Sequence, residues 1–308
     1  MRILRSGDSE YPPLLRTVAP RPTLWVRGEI VADDALAIAI VGSRNATDYG
    51  LQQAEGLAAD LAARGVTIVS GLARGIDTAA HRGALSAGGR TIAVLGSGVD
   101  RIYPPENLRL AGDIERRGAV VSHFPPGMPP LPGHFPARNR VIAGLSLGVV
   151  VVEAAEKSGA LITASLAGEL GREVYAIPGR VNSTQSRGAN GLLQDGAKLV
   201  QVWTDVVQEL PETWRRLIRD VPSDPGDANR PAALRGAQST ERSSEHGRVM
   251  NLLRPDEPQH IEDLIDRSGL PAARLAAVLL ALELDGRARQ LAGQRWLAAG
   301  RQTARREA

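Results

Sequence analysis

Between residues 36 and 205 the chain alternates short apolar runs with longer stretches whose apolar positions recur at helical spacing. Leu36–Val41 is the first such run and ends in Gly42. Asp48–Arg64 then sets Leu51, Ala54, Leu57, Ala58 and Leu61 on one helical face. The alternation continues with strands expected at Val66–Val69, Thr91–Leu95, Ala119–Ser122, Leu147–Val152 and Val174–Ile177. Helices are expected at Ile76–Ala87, Glu106–Arg116 and Thr163–Leu170. Strands that are apolar throughout are buried on both faces, so the pattern predicts an α/β fold: a mostly parallel sheet with helices on both faces. In such sheets ligands sit at the carboxyl ends of the strands.

The flanks read differently. Prolines in residues 1–35 forbid a long helix, and this N-terminal extension is expected to pack on the core as short strands and turns. The 36–210 domain is followed by a linker, 211–245, rich in Pro, Ser, Asp, Asn and Arg. Within 246–300, His260–Ile265 starts a helix, Ser268–Pro271 turns, Ala272–Glu283 forms a second helix, and Gly286–Leu291 with Gln294–Leu297 reads as a hairpin. Two helices and a hairpin make a small C-terminal winged-helix domain, with 301–308 as a tail.

Composition narrows the chemistry. The chain of 308 residues has no cysteine, which excludes disulfides, thiolate metal sites and cysteine nucleophiles. Its N-terminus carries no apolar signal region, and Leu147–Val152 is too short to span a bilayer, so a soluble cytoplasmic protein with no membrane partner is expected. The net charge is +3, and only Lys157 and Lys198 are lysines, so nearly all positive charge is arginine, suited to bidentate phosphate contact and base stacking.

Three strands end in glycine-rich turns: Gly42-Ser43-Arg44, then Ser70–His81 with Gly71 and Gly75 around Arg74, then Gly96-Ser97-Gly98 leading to Tyr103-Pro104. Side by side they would line one sheet edge with backbone N–H groups, an anion site. None has the GxGxxG spacing of dinucleotide binders. Asp77 and His81 lie one helical turn apart and can hydrogen-bond, Asp77 as a helix cap. With no nucleophile evident beside them, a scaffold role is expected. The proline-rich run from Pro125 to Pro136 is expected to be extended and stiff, and it presents Phe135 beside Arg138, Asn139 and Arg140: a stacking surface among phosphate partners. After the most apolar strand come Glu153, expected to order Arg138 or Arg140 or to cap the next turn, and Lys157-Ser158-Gly159 at a helix start.

These motifs, in this order and approximate spacing, resemble the DprA/Smf family over roughly residues 8–205, and more loosely over 246–298. The resemblance implies a Rossmann-like domain that binds single-stranded DNA in a basic pocket at the strand ends. It implies a homodimer that loads RecA recombinase onto incoming DNA during natural transformation, with no catalytic residues, cofactor or metal. The DNA-binding set expected here is Gly42, Ser43, Arg44, Gly71, Arg74, Gly75, Ser97, Phe135, Arg138, Asn139, Arg140 and Lys157. Many relatives carry an N-terminal helical domain ahead of the Tyr11-Pro12 segment, and from its starting position this chain is expected to lack one; Ala160 stands where relatives usually have serine.

Two other functions fit parts of the pattern. A nucleoside-monophosphate hydrolase could use Glu153 and the Ser158-Gly159 turn, but the tandem glycine run of such sites is missing. A duplex-DNA regulator could use the winged helix, yet the helix 272–283 holds Arg274 as its one basic residue.

Overall fold

The computed structural model describes residues 1–219, 249–250, 252–254, 258–284, 287–291 and 293–298, in two compact units divided near residue 233. The first unit is built on nine strands: β1 (Arg2–Leu4), β2 (Leu24–Gly28), β3 (Ala37–Val41), β4 (Thr67–Ser70), β5 (Thr91–Val94), β6 (Ala119–Ser122), β7 (Gly148–Val151), β8 (Glu173–Ala176) and β9 (Lys198–Leu199). They lie in the order β1-β2-β6-β5-β4-β3-β7-β8-β9. All pairings from β6 to β9 are parallel, and β1 and β2 close one edge antiparallel. The chain winds outward from β3 through β4 and β5 to β6, then returns to lay β7 on the other side of β3. This is the doubly wound, Rossmann-like arrangement, and the β3/β7 edge is its switch point.

The helices are α1 (Asp48–Ala63), α2 (Ile76–Ser86), α3 (Leu108–Arg117), α4 (His134–Gly144), α5 (Gly159–Glu169), α6 (Arg187–Gln194), α7 (Trp203–Val207) and α8 (Glu212–Arg215). Alternate residues of β3 feed two cores, because successive side chains of a strand point to opposite faces. Ala37, Ala39 and Val41 join Val141 and Ile142 of α4 and Ala160, Ala164 and Ala167 of α5 on one face. Ile38 and Ile40 join Ala54, Leu57 and Leu61 of α1 and Ile76 and Ala80 of α2 on the other.

Three expectations change. The proline-rich run is irregular only to Gly133, and from His134 the chain is helical. Pro136 falls in the first turn of α4, where a missing N–H costs no intrahelical bond. Helix α5 starts at Gly159, ahead of Thr163, because Ser158 caps it by accepting the N–H of Ala160 at 3.3 Å. The opening segment packs on the core through short strands, as expected: it contributes two of them to the sheet, and Tyr11, Leu15 and Val18 are core residues. The first unit also runs past residue 210. Trp214 and Ile218 pack on the α1 face, and the Arg219 N–H donates to the Arg64 carbonyl at 3.0 Å, so 211–219 is packed chain where a linker was expected. The rest of that segment, and the tail, lie outside the described residues.

The second unit holds α9 (Ile261–Ser268), α10 (Ala272–Leu284) and a sheet of β10 (Gln259–His260), β12 (Arg295–Ala298) and β11 (Ala288–Leu291) in that order. Gly269 ends α9 at φ +68°, a left-handed conformation that glycine adopts without strain. Leu264, Leu275, Leu279, Leu282 and Trp296 form its core. Two helices followed by the β11–β12 hairpin give the winged-helix layout. Among the described residues no helix is long and apolar enough to cross a membrane.

Candidate functional site

A pocket of about 500 Å3 opens at the switch point, lined by the turn after β3 and by the turn from β7 into α5. Its floor is apolar, with Val41, Ile142 and Ala160, and its rim carries Ser43, Arg44, Asn45, Asn139, Lys157 and Gln185. Local packing fixes the two turns. Gly75 has φ +71°, and a Cβ there would lie 2.2 Å from the carbonyl oxygen of Ser43, so glycine lets the β4–α2 turn press against the β3 turn. Glu153 is buried below the pocket, where its carboxylate accepts the Thr47 N–H at 2.9 Å and the Thr47 hydroxyl at 2.6 Å. Thr47 in turn caps α1 by accepting the Gly50 N–H. Glu153 therefore orders the start of α1 and neither Arg138 nor Arg140. Asn139 donates to the Gly159 carbonyl at 3.2 Å and ties α4 to the start of α5.

Arg138 sits under the pocket with 4% of its surface exposed. Its Nη1 donates to the carbonyls of Gly71 at 2.6 Å and Val94 at 2.7 Å, binding together the ends of β4 and β5. Loss of hydration lowers its pKa to about 10, with Asp77 acting in the opposite sense. Asp77 accepts the N–H groups of Gly71 at 3.1 Å and Ala73 at 3.3 Å, so it caps the β4–α2 turn. Burial raises its pKa, while Arg138 and the two amides pull it down. Gly71 lies between these groups: a Cβ there would fall 1.8 Å from Arg138 Nη1.

The expected Asp77–His81 bond is absent. His81 is fully buried and its Nδ1 lies 2.7 Å from the Thr91 hydroxyl oxygen. That hydroxyl donates to the Ile68 carbonyl, so its oxygen accepts from His81 Nδ1–H. Desolvation lowers the His81 pKa to about 3. Asp77 and His81 are thus held by separate partners, Asp77 by the Gly71 and Ala73 amides and His81 by Thr91.

Phe135 is half-buried on the first turn of α4 with its ring toward the pocket. The Arg44 guanidinium lies over that ring, 5.0 Å from its centroid, and Arg138 approaches at 5.9 Å. Arg44 and Lys157 are exposed, and neither has a carboxylate partner among the described residues. Arg74 and Ser97 line an adjoining hollow that shares Arg44 and Phe135 with the main pocket. Ser97 is buried there, donating to the Arg101 carbonyl, and Arg74 pairs with Glu106. Arg140 turns elsewhere: its Nη2 donates to the Ala19 carbonyl at 3.1 Å and its Nη1 lies 3.8 Å from Glu169. Arg138 and Arg140 are two residues apart on a helix, so they face different sides, a separation an extended segment would not impose.

Asn45 and Gln185 also reach the rim and were not expected. Gln185 sits in the turn after β8, the next strand end along the same edge, so the strand-end rule extended by one strand would have found it. Asn45 follows Arg44 directly, and no chemical signal sets it apart in the sequence. Exposed arginine and lysine, a helix N-terminus, amide side chains and an aromatic face together suit an anion joined to a planar ring.

Residues 2–211 match the family model for DNA recombination-mediator protein A, and residues 231–294 match that for the DprA winged helix domain. The chain is similar to protein Smf of Escherichia coli, with 48% identity over 207 residues, 66% of this chain and 55% of that protein. It thus spans little more than half the length of that relative. Among solved structures it is similar to DNA processing protein A from Streptococcus pneumoniae, with a TM-score of 0.65 and 44% identity, covering 68% of this chain and 74% of that one. It is also similar to a structure of DNA processing protein A from Helicobacter pylori described for its single-stranded DNA binding mode. There the TM-score is 0.59 and the identity 30%, covering 67% of this chain and 97% of that one.

Proposed function

Because the chain belongs to the DNA recombination-mediator protein A family, we propose that its first unit binds single-stranded DNA at the β3/β7 edge of the sheet, as a binding protein with no catalysis of its own. One observation carries this above the others: the exposed Arg44 guanidinium lies 5.0 Å from the Phe135 ring centroid at the mouth of a pocket that also holds Lys157. A cation for the phosphate and a ring for the base stand side by side, which suits a strand whose bases are unpaired. The N-terminus of α5 adds a partial positive charge at the same rim. Glu153, the carboxylate a nucleotide hydrolase would need, has both oxygens engaged by Thr47, which favours binding over hydrolysis.

Titration of labelled oligo-dT with the full chain, followed by fluorescence anisotropy, tests this. Binding should weaken steeply as salt rises, since counterions are released from each neutralised phosphate. Absence of binding at low salt would sink the proposal, and release of free base from a nucleoside-monophosphate panel would revive the hydrolase.

The match to a recombination mediator supports a further role: the protein acts as a homodimer in the cytoplasm, protects incoming strands and delivers RecA recombinase to them during transformation. Strand exchange by RecA on single strands coated with a single-strand-binding protein should proceed faster with this chain present. Equal rates with and without it would reject the mediator role.

A further inference from the structure

We propose that Tyr103 and Arg74 form a second nucleotide subsite beside Phe135, which takes the nucleotide next to the one held at the pocket. This rests on the single-strand reading above. Six aromatic rings of Tyr and Phe are available in the whole chain, two Phe and four Tyr. Tyr11 and Tyr175 are buried in the core, Tyr49 donates its hydroxyl to the Pro178 carbonyl, and Phe124 is stacked between His123 and His134. Phe135 faces the pocket. Tyr103, 42% exposed, lines the hollow beside Phe135, which Tyr49 does not, and its hydroxyl has no hydrogen-bond partner among the described residues.

Its position is what gives it a use. The Tyr103 and Phe135 centroids are 6.1 Å apart with the rings tilted by 52°. A stacked strand advances about 3.4 Å per nucleotide and an unstacked one further, so one base does not cover both rings but two neighbouring nucleotides do. Gly96 lines the same hollow, and a Cβ there would come within 3.1 Å of Phe135, so a side chain would press on that ring. Arg44 and Phe135 line both hollows, so the two adjoin; the second holds only about 30 Å3, so the neighbouring nucleotide lies across its mouth on the exposed Tyr103 ring and not inside it.

Arg74 supplies the charge. Its side chain is 62% exposed, and its ion-pair partner Glu106 is 48% exposed. An ion pair this open to water is weak. A phosphate can therefore displace Glu106 from Arg74 at little cost, and Glu106 acts as a stand-in anion while the subsite is free of DNA.

Two experiments on the full chain test the subsite. The first is oligo-dT binding by Tyr103→Leu, Tyr103→Phe and Glu106→Gln, each checked by melting temperature for folding. Loss of the ring face in Tyr103→Leu should weaken binding about ten-fold, within the range for one stacked base, while Tyr103→Phe keeps the face and should stay within about two-fold of the parent. Glu106→Gln removes the competing anion and should tighten binding about two- to five-fold, the scale of one exposed ion pair. The second is photocrosslinking with 5-iododeoxyuridine in the oligonucleotide, read by mass spectrometry, with crosslinks expected at both Phe135 and Tyr103. Parent-like affinity of Tyr103→Leu, parent-like or weaker binding by Glu106→Gln, or crosslinks at Phe135 without Tyr103 would overturn the subsite and leave the pocket standing. Failure of the unaltered chain to bind oligo-dT would overturn the single-strand reading itself.

Discussion

Arg138 and Asp77 hold Gly71 from opposite ends: Arg138 Nη1 donates to its carbonyl at 2.6 Å, and Asp77 Oδ2 accepts its N–H at 3.1 Å. The guanidinium is a fastening between strand ends, with little surface left for a ligand. Replacing it with Met should leave two strand-end carbonyls unbonded and the Asp77 carboxylate without a compensating charge. The expected loss is about 3–5 kcal/mol of stability, measured by urea unfolding. Arg44→Ala removes an exposed side chain and should stay within about 0.5 kcal/mol of the parent while weakening oligo-dT binding. Equal stability of the two variants would contradict the division of labour between these arginines.

Arg140 provides the complementary test, because its guanidinium is directed at Ala19 and Glu169. Arg140→Ala should bind oligo-dT within about two-fold of the parent. Arg44→Ala and Lys157→Ala should each weaken binding and flatten the plot of log affinity against log salt by about 0.7, the loss of one phosphate contact on a single strand. A flattened slope for Arg140→Ala would place it on the DNA path after all.

The sheet and its parallel pairing were legible because buried strands leave unbroken apolar runs such as Leu147–Val152, and glycine marks the turns after β3, β4 and β5. The winged-helix layout was legible from Ser268–Pro271 and the hairpin spacing. What failed was the reading of side-chain direction. Pro136 closes a proline-rich run that reads as extended chain, yet proline is equally at home in the first turn of a helix, where it sits. With the segment read as extended, Arg138 and Arg140 could share one site. The helix separates them, burying one under the pocket and turning the other to Ala19. Glu153 was misassigned for a similar reason: its partner Thr47 is 106 residues away, and only the β3–β7 pairing brings them together.

The end of the first unit can be tested by truncation. Trp214 and Ile218 pack on the α1 face, and the Arg219 N–H donates to Arg64. A chain ending at Arg219 should retain that packing. A chain ending at Leu210 strips it and should lose about 2–4 kcal/mol, the scale for removing two large apolar side chains from partial burial. Indistinguishable urea midpoints for the two truncations would restore residues 211–219 to the linker.

Buried histidine sets the direction of the acid response. The folded-state pKa of His81 is lowered from 6.5 to about 3 by desolvation, and that of His123 to about 4. At pH 5–6 the unfolded chain therefore binds protons at both positions and the folded chain does not, so stability falls as pH falls below 6.5. For each histidine the slope rises from about 0.7 kcal/mol per pH unit at pH 6.5 toward about 1.4 near pH 5. Asp77 works the other way, since burial raises its pKa, but it contributes equally to any variant that leaves it in place. His81→Asn can still donate from its amide to Thr91, which keeps the buried hydrogen bond while removing the titrating ring. Unfolding free energies at pH 5, 6 and 7 should then fall less in His81→Asn than in the parent, by about 0.7 kcal/mol from pH 7 to 6 and about 1.2 kcal/mol from pH 6 to 5, whatever the variant's stability at pH 7. Parallel pH profiles for the two proteins would mean that the buried His81 ring takes no part in the acid response.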